Sequence, residues 1–265
     1  MATPPLVSFR IVEGAVPSTL AGVVRSIAGY EEATFGRFRR QELSGASVVL
    51  IFEAATPLRI EQNDNQWHRY DGFIAPITAR SSLTEHDGFQ AGVEVRLAAG
   101  RSQEILGAPL RALGPSLVSA RDLFGPQPLF DQLRNTESLE ARVAVVTRWL
   151  LDRQGRSADP RVVHACEALD RSGGALPIGE LQRRLVLSER HLHRIFREAT
   201  GLGPKQYARR VRLDRLADQL KGTASPRWAE LAATLGFYDQ AHLARDVRSL
   251  WDLTPSELHR VIGPA

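Results

Sequence analysis

The side chains with the clearest chemistry are a row of donors between Ser188 and Thr200. Arg190, Arg194 and Arg197 recur at i, i+4 and i+7 with His193 beside them, and a helix places residues at that spacing on one face. The opposite positions, Leu192, Ile195, Phe196 and Ala199, form an apolar stripe of the kind that anchors a helix to a core. A second set follows Asp239: Gln240, Ala241, His242, Arg245 and Arg248 lie outside the apolar pair Leu243 and Val247. Arginine matches guanine edges and phosphates in a two-pronged fashion, glutamine matches adenine, and a good pair discriminates bases by about 1–3 kcal/mol. The chemistry on offer is recognition of a nucleic acid, not bond making.

Each donor row sits on the second helix of a helix-turn-helix pattern. In the first, Leu181 and Leu185 brace, Leu187 occupies the turn and Ser188 caps the recognition helix. In the second, Leu231, Ala232 and Leu235 brace, Gly236 supplies the turn and Asp239 the cap. Such units insert the exposed face of the second helix into the major groove. The segment between them begins at Pro204 and runs to Leu220, with Tyr207, Val211, Leu213, Leu216, Ala217 and Leu220 apolar and Arg209, Arg210, Arg212 and Arg215 assigned to solvent. A helix of that length spans roughly 25 Å at ~1.5 Å per residue. Such a spacer suits two recognition helices about one DNA turn, ~34 Å, apart.

Further upstream the pattern changes. Asp159 and Pro160 read as cap and first residue of a helix that carries Val162, Val163, Cys166 and Leu169 and stops at Ser172-Gly173-Gly174. The polar stretch 153–158 before it reads as a linker. Leu129 to Leu151 carries Leu129, Leu133, Leu139, Val143, Val146 and Leu150 at helical recurrence, predicting one or two amphipathic helices that could pair two chains. Before Leu113 the apolar runs are short: Ser47–Glu53, Leu58–Glu61, Phe73–Ile77 and Gly92–Leu97, with turn signals at Asn63-Asp64-Asn65, Asp71-Gly72 and Asp87-Gly88. The expected fold class is α+β: a β-rich, barrel-like N-terminal domain (1–113), a helical connector (114–154) and an all-α C-terminal domain (155–265) with two helix-turn-helix units.

Composition agrees with that division. Lys205 and Lys221 are the only lysines among 34 basic residues. Through Gln154 there are 16 basic against 17 acidic residues, and beyond it 18 against 13, so the positive charge lies with the helix-turn-helix patterns, as a DNA footprint requires. Cys166 is the only cysteine and Met1 the only methionine, which excludes disulfide frameworks and cysteine zinc clusters. Cys166 itself reads as a small core filler. No leader or long apolar run is apparent, so a cytoplasmic protein away from membranes is expected. Phe52, Trp67, Tyr70, Phe73 and Phe89 are candidates to line an effector pocket. His68, His86 and Glu94 are the best metal-ligand candidates but match no ligand spacing. A metal-binding or enzymatic barrel is therefore the alternative, and neither a cofactor nor catalysis is expected.

Ser188-x-Arg190-x-Leu192-x-Arg194-x-Phe196-Arg197, Thr200-Gly201-x-x-Pro204-x-x-Tyr207, Ala232-x-x-x-Gly236-Phe237-x-Asp239-Gln240 and Leu253-Thr254-Pro255-Ser256 together resemble the DNA-binding domain of the AraC/XylS regulators over about residues 160–262. The resemblance implies base contacts from Arg190, His193, Arg194, Gln240, Ala241 and Arg245, and phosphate contacts from Arg197, His242 and Arg248. It implies a transcription regulator whose partner is double-stranded DNA, with RNA polymerase, a small-molecule effector in the N-terminal domain and a second copy of the chain as further candidates. The chain departs from the family pattern at Val186 and Asp252, where glycine is common, and at Asp246, Val247 and Leu258. The second unit is the less typical of the two.

Overall fold

The computed structural model describes residues 6–61, 66–153 and 157–262. Its N-terminal part is an antiparallel sheet of β1 (Leu6–Gly14), β2 (Val24–Glu42), β3 (Ser47–Glu53), β4 (Leu58–Glu61), β5 (Trp67–Tyr70), β6 (Gly72–Ala75), β7 (Ser82–Ala98) and β8 (Val118–Ser119). The path runs β1-β2-β7-β3-β6-β8, with β4 bridging β7 and β5. β7 is the hub: β2 pairs with it from Ser82 to Leu97, while β4 and then β3 share its other edge.

Two expectations are corrected here. Asp87-Gly88 is not a turn between strands but lies within β7, where the register with β2 slips between Ala33 and Arg37. Gly88 takes φ 98° opposite a bulge in β2, where Thr34, Phe35 and Gly36 stand against this one residue, and Arg37 Nε holds Asp87 at 2.8 Å beside it. Leu6–Gly14 and the long β2 were also not anticipated; in β2 the alternation is interrupted by the adjacent Glu31 and Glu32 and by Gly36. The Asn63-Asp64-Asn65 turn lies outside the described residues.

β3 shows why its sequence is apolar on both faces. Val48, Leu50 and Phe52 are fully buried, and Phe52 meets Phe130 and Trp149 from helices on the outer side, while Val49 and Ile51 face a partly open cavity. A strand buried on both faces loses the polar alternation of a half-exposed one. The expected amphipathic stretch divides into α4 (Pro128–Arg134) and α5 (Leu139–Leu151), following α1 (Gln103–Leu106), α2 (Leu110–Leu113) and α3 (Ala120–Phe124). The α5 stripe Leu139, Val143, Val146 and Leu150 is buried against β1 and β2: Val143 abuts Gly14 and Gly29. The apolar face of α5 is thus covered by this chain's own sheet.

The remaining helices are α6 (Pro160–Arg171), α7 (Ile178–Leu185), α8 (Glu189–Thr200), α9 (Pro204–Leu220), α10 (Trp228–Thr234), α11 (Gln240–Trp251) and α12 (Pro255–Ile262). Asp159 caps α6 as expected, accepting from Arg161 N at 2.9 Å. One buried apolar cluster runs from the sheet through α5 and α6 into the first helix-turn-helix unit, ending on Phe196, Tyr207 and Val211. A second holds Leu213, Leu216, Leu220, Phe237, Leu243, Val247, Trp251 and Leu258. α9 serves both, its first half in one core and its second half in the other.

Candidate nucleic-acid interface

The first unit forms because its local signals agree. α7 ends in Val186, Ser188 Oγ accepts from His191 N at 3.3 Å, and α8 starts. Leu181, Leu192 and Phe196 are buried, which leaves Arg190, His193, Arg194 and Arg197 exposed on the opposite face. These four, with Glu189 and Arg111, line one open cleft. Glu189 brings a carboxylate to this cleft from the first turn of α8, where a helix favours acids near its positive end. Arg111, from α2, was not anticipated at all.

Val186 takes φ 52° and is 89% exposed. The left-handed region costs an ordinary residue roughly 1–2 kcal/mol, and a β-branched one has no hydrogen bond of its own to offset it. Val186→Gly should therefore raise stability by about 1 kcal/mol once the extra flexibility of unfolded glycine is deducted. A urea midpoint unchanged or lowered in Val186→Gly would contradict this. Asp252 closes α11 in the same conformation, φ 55°, so both positions where the family pattern favours glycine keep its backbone without its residue.

In the second unit α10 leads to Gly236, and Asp239 Oδ1 caps α11 by accepting from His242 N at 2.6 Å. Gln240, Ala241, Arg245 and Arg248 are exposed. His242 is turned back on its own unit: its ring accepts from Tyr238 N at 3.3 Å, lies 3.6 Å from Asp246 and packs edge-on to Phe237. Asp246 in turn holds Arg209 Nε of α9 at 2.9 Å. Asp246 therefore fastens α11 to α9, which gives this departure from the family pattern a structural role.

The α9 arginines differ from expectation. Arg209, Arg210 and Arg212 are half-buried rather than solvated. Arg212 donates to the carbonyls of Gly174 and Gly236. Arg210 reaches Ser44 Oγ and the carbonyls of Gly45 and Ala79, and burial pushes its pKa down to about 10. Beside it Asp214 accepts from Ala46 N at 2.8 Å, with its pKa raised by burial to about 6. Trp251 Nε1 donates to Ser44 O at 2.7 Å, so the β2–β3 turn is bolted to both α9 and α11. Arg25 adds an ion pair to Asp170 of α6, which also accepts from Tyr207 Oη at 2.8 Å. Local periodicity marks a polar helix face; it does not say that a distant turn covers it.

That turn also forms the rim of a partly open cavity of about 220 Å³ to which six strands contribute. Phe9, Ile11, Tyr30, Val49, Leu58 and Phe73 give it apolar walls, and Arg40, Glu94, Gln90 and Arg96 give it polar ones. Of the five aromatics considered from sequence, only Phe73 lines it. Phe52 faces the helices on the other side of β3, Tyr70 packs edge-on to Phe73, Trp67 lies under Arg39 and Arg59, and Phe89 is exposed. Behind the wall, Tyr30 Oη donates to Glu53 at 2.7 Å. Glu53 is buried, its other oxygen has no partner, and its pKa is raised to about 8. The metal-ligand candidates do not converge: His86 lies 3.5 Å from Glu32, Glu94 pairs with Arg96, and His68 stands beside Tyr70. Among the described residues no helix is long and apolar enough to cross a membrane.

Two capped helix-turn-helix units on a shared helix, each with donors outward, define a DNA-binding module. Residues 181–260 match the family model described as a helix-turn-helix domain. The chain is 40% identical over 93 residues to an HTH-type transcriptional regulator of Mycobacterium tuberculosis, covering 35% of this chain and 36% of that protein. It is 28% identical over 90 residues to the Msm operon regulatory protein of Streptococcus mutans, covering 34% and 32%. These matches span about a third of the length of those relatives. In fold it is similar to ToxT of Vibrio cholerae, with a TM-score of 0.51 over 90% of this chain and 98% of that one at 12% identity.

Proposed function

We propose that this protein is a sequence-specific DNA-binding transcription regulator controlled by a small molecule in its N-terminal region. The observation that carries the first half is the pair of capped recognition helices with exposed donor rows in a helix-turn-helix domain. In this reading Arg190, His193 and Arg194 read bases in one major groove, Gln240, Ala241 and Arg245 extend the site by one turn, and Arg197 and Arg248 hold phosphates. His242, engaged with Asp246 and Phe237, acts on α11 before it acts on DNA. Residues 1–113 are the sensor, 114–154 the connector and 155–265 the reader.

Fluorescence titration of genomic fragments tests this: one site should bind about 10³-fold or more tightly than competitor duplex. Arg194→Ala should cost about 1–3 kcal/mol and relax preference at one base pair. Equal weakening on every sequence would reassign Arg194 to phosphate, and sequence-blind binding by the wild type would overturn the reading.

Effector control is supported by the cavity and by its rim, since Ser44, Gly45 and Ala46 are the residues held by Trp251, Arg210 and Asp214. A ligand that displaces this turn acts directly on α9 and α11. The apolar walls, with Arg40 and Arg96 paired to Glu42 and Glu94 among them, suit a molecule with an apolar body and a polar head, and ToxT, with a TM-score of 0.50 to this chain, is seen bound to a naphthalenyl-butenoic acid. A thermal-shift screen of small organic acids should find compounds that raise the melting temperature of the wild type but not of a Phe73→Arg variant with its cavity filled.

A further inference from the structure

We propose that Arg111 of α2 is a DNA-phosphate contact supplied by the N-terminal region beside the first recognition helix, an inference that rests on the DNA-binding reading above. The cleft that holds Arg190, His193, Arg194 and Arg197 has Arg111 as its opposite wall, and no apolar side chain lines it. α2 packs against the end of α8 at this point: a Cβ on Gly201, which ends α8 with φ 76°, would lie in ordinary van der Waals contact with the Arg111 backbone at 3.8 Å. The guanidinium is therefore held beside α8 by its own backbone, not by side-chain reach alone.

Its partner in the free protein is Glu198, 2.5 Å away, with the two side chains 62% and 56% exposed. Ion pairs this open contribute little, so a phosphate can replace the carboxylate at small cost. An arginine has five N–H donors, and one nitrogen serves Glu198. Position along α8 decides what Arg111 would touch. The base-reading residues of a recognition helix lie toward its N-terminal end, whereas Glu198 and Gly201 are at the C-terminal end, where a helix in the groove meets the backbone of the flanking strand. There a cation neutralises phosphate and carries no base preference.

The test uses the full chain and a duplex that the wild type binds, titrated over a range of salt concentrations. Arg111→Gln should weaken binding about 3- to 10-fold at moderate salt, by the same factor on specific and competitor DNA, and reduce the slope of log affinity against log salt by about 1. Arg111→Lys, which keeps the charge, should retain the slope; thermal melting establishes that both variants are folded. An unchanged slope in folded Arg111→Gln overturns the proposal, and so does tighter binding, which would make α2 a brake on the recognition helix. A wild-type chain that binds no duplex overturns the DNA reading itself and this inference with it.

Discussion

Trp251→Ala should destabilise the protein by about 3–5 kcal/mol and loosen the second helix-turn-helix unit before the rest. Trp251 ends α11 at 2% exposure in the smaller of the two apolar clusters that meet on α9. It also joins the unit to the sheet region, since its indole donates to Ser44 O and Gln41 Nε2 donates to its carbonyl at 3.2 Å. Removing it leaves both a cavity and a carbonyl without its donor. Trp251→Phe, which retains most of the bulk, separates the two effects and should cost about 1–3 kcal/mol for the orphaned carbonyl. Far-UV circular dichroism in urea should show a split or broadened transition for Trp251→Ala. A single transition within about 1 kcal/mol of wild type would show that the second unit is held by other means. On DNA, the variant should lose the half-site assigned to Gln240 and Arg245 and keep the one assigned to Arg190 and Arg194.

The pH dependence of stability should carry the mark of Glu53. Burial raises its pKa to about 8, against the opposing effects of the Tyr30 hydrogen bond and of Arg40, with Asp71 adding to the rise. The folded state therefore holds a proton that the unfolded chain releases near 4.5. The stability this confers is complete below that pH and falls as pH climbs to about 8, by about 1.4 kcal/mol per unit and roughly 5 kcal/mol in all. Asp214, raised to about 6, bends the curve in the same direction, so the diagnostic is a difference between proteins. Glu53→Gln mimics the protonated acid and can still accept from Tyr30; relative to wild type its melting temperature should gain with each unit from pH 5 to 8 and level off above. Parallel curves for the two proteins would show that Glu53 is ionised in the fold. Because Tyr30 lines the cavity, the same titration should alter the polarity of one wall.

Much of the reading region could be found without a structure because its determinants are local. A helix closes its hydrogen bonds within four residues and announces its start by a side chain two or three residues from the amide it caps; Asp159 does so at two, and Ser188 and Asp239 at three. The recurrence of Arg190, Arg194 and Arg197 against Leu192 and Phe196 likewise needs no distant partner to be seen. Strands offered less, because their extent depends on pairing across the chain: β2 and β7 run through a bulge opposite residues that, in isolation, suit a turn. The aromatic set could be named but not sorted, since Phe52 and Phe73 lie on strands whose faces are assigned only by what packs on each side. Arg111 carries no local signal either, and becomes part of the basic cleft only because α2 packs on the end of α8, 87 residues further along. Residue type and spacing decided that two donor-bearing helices would form. Packing between segments far apart in the chain decided that the first shares its core with the sheet, that the second hangs on Trp251 and Ser44, and that the N-terminal region stands against the recognition helix.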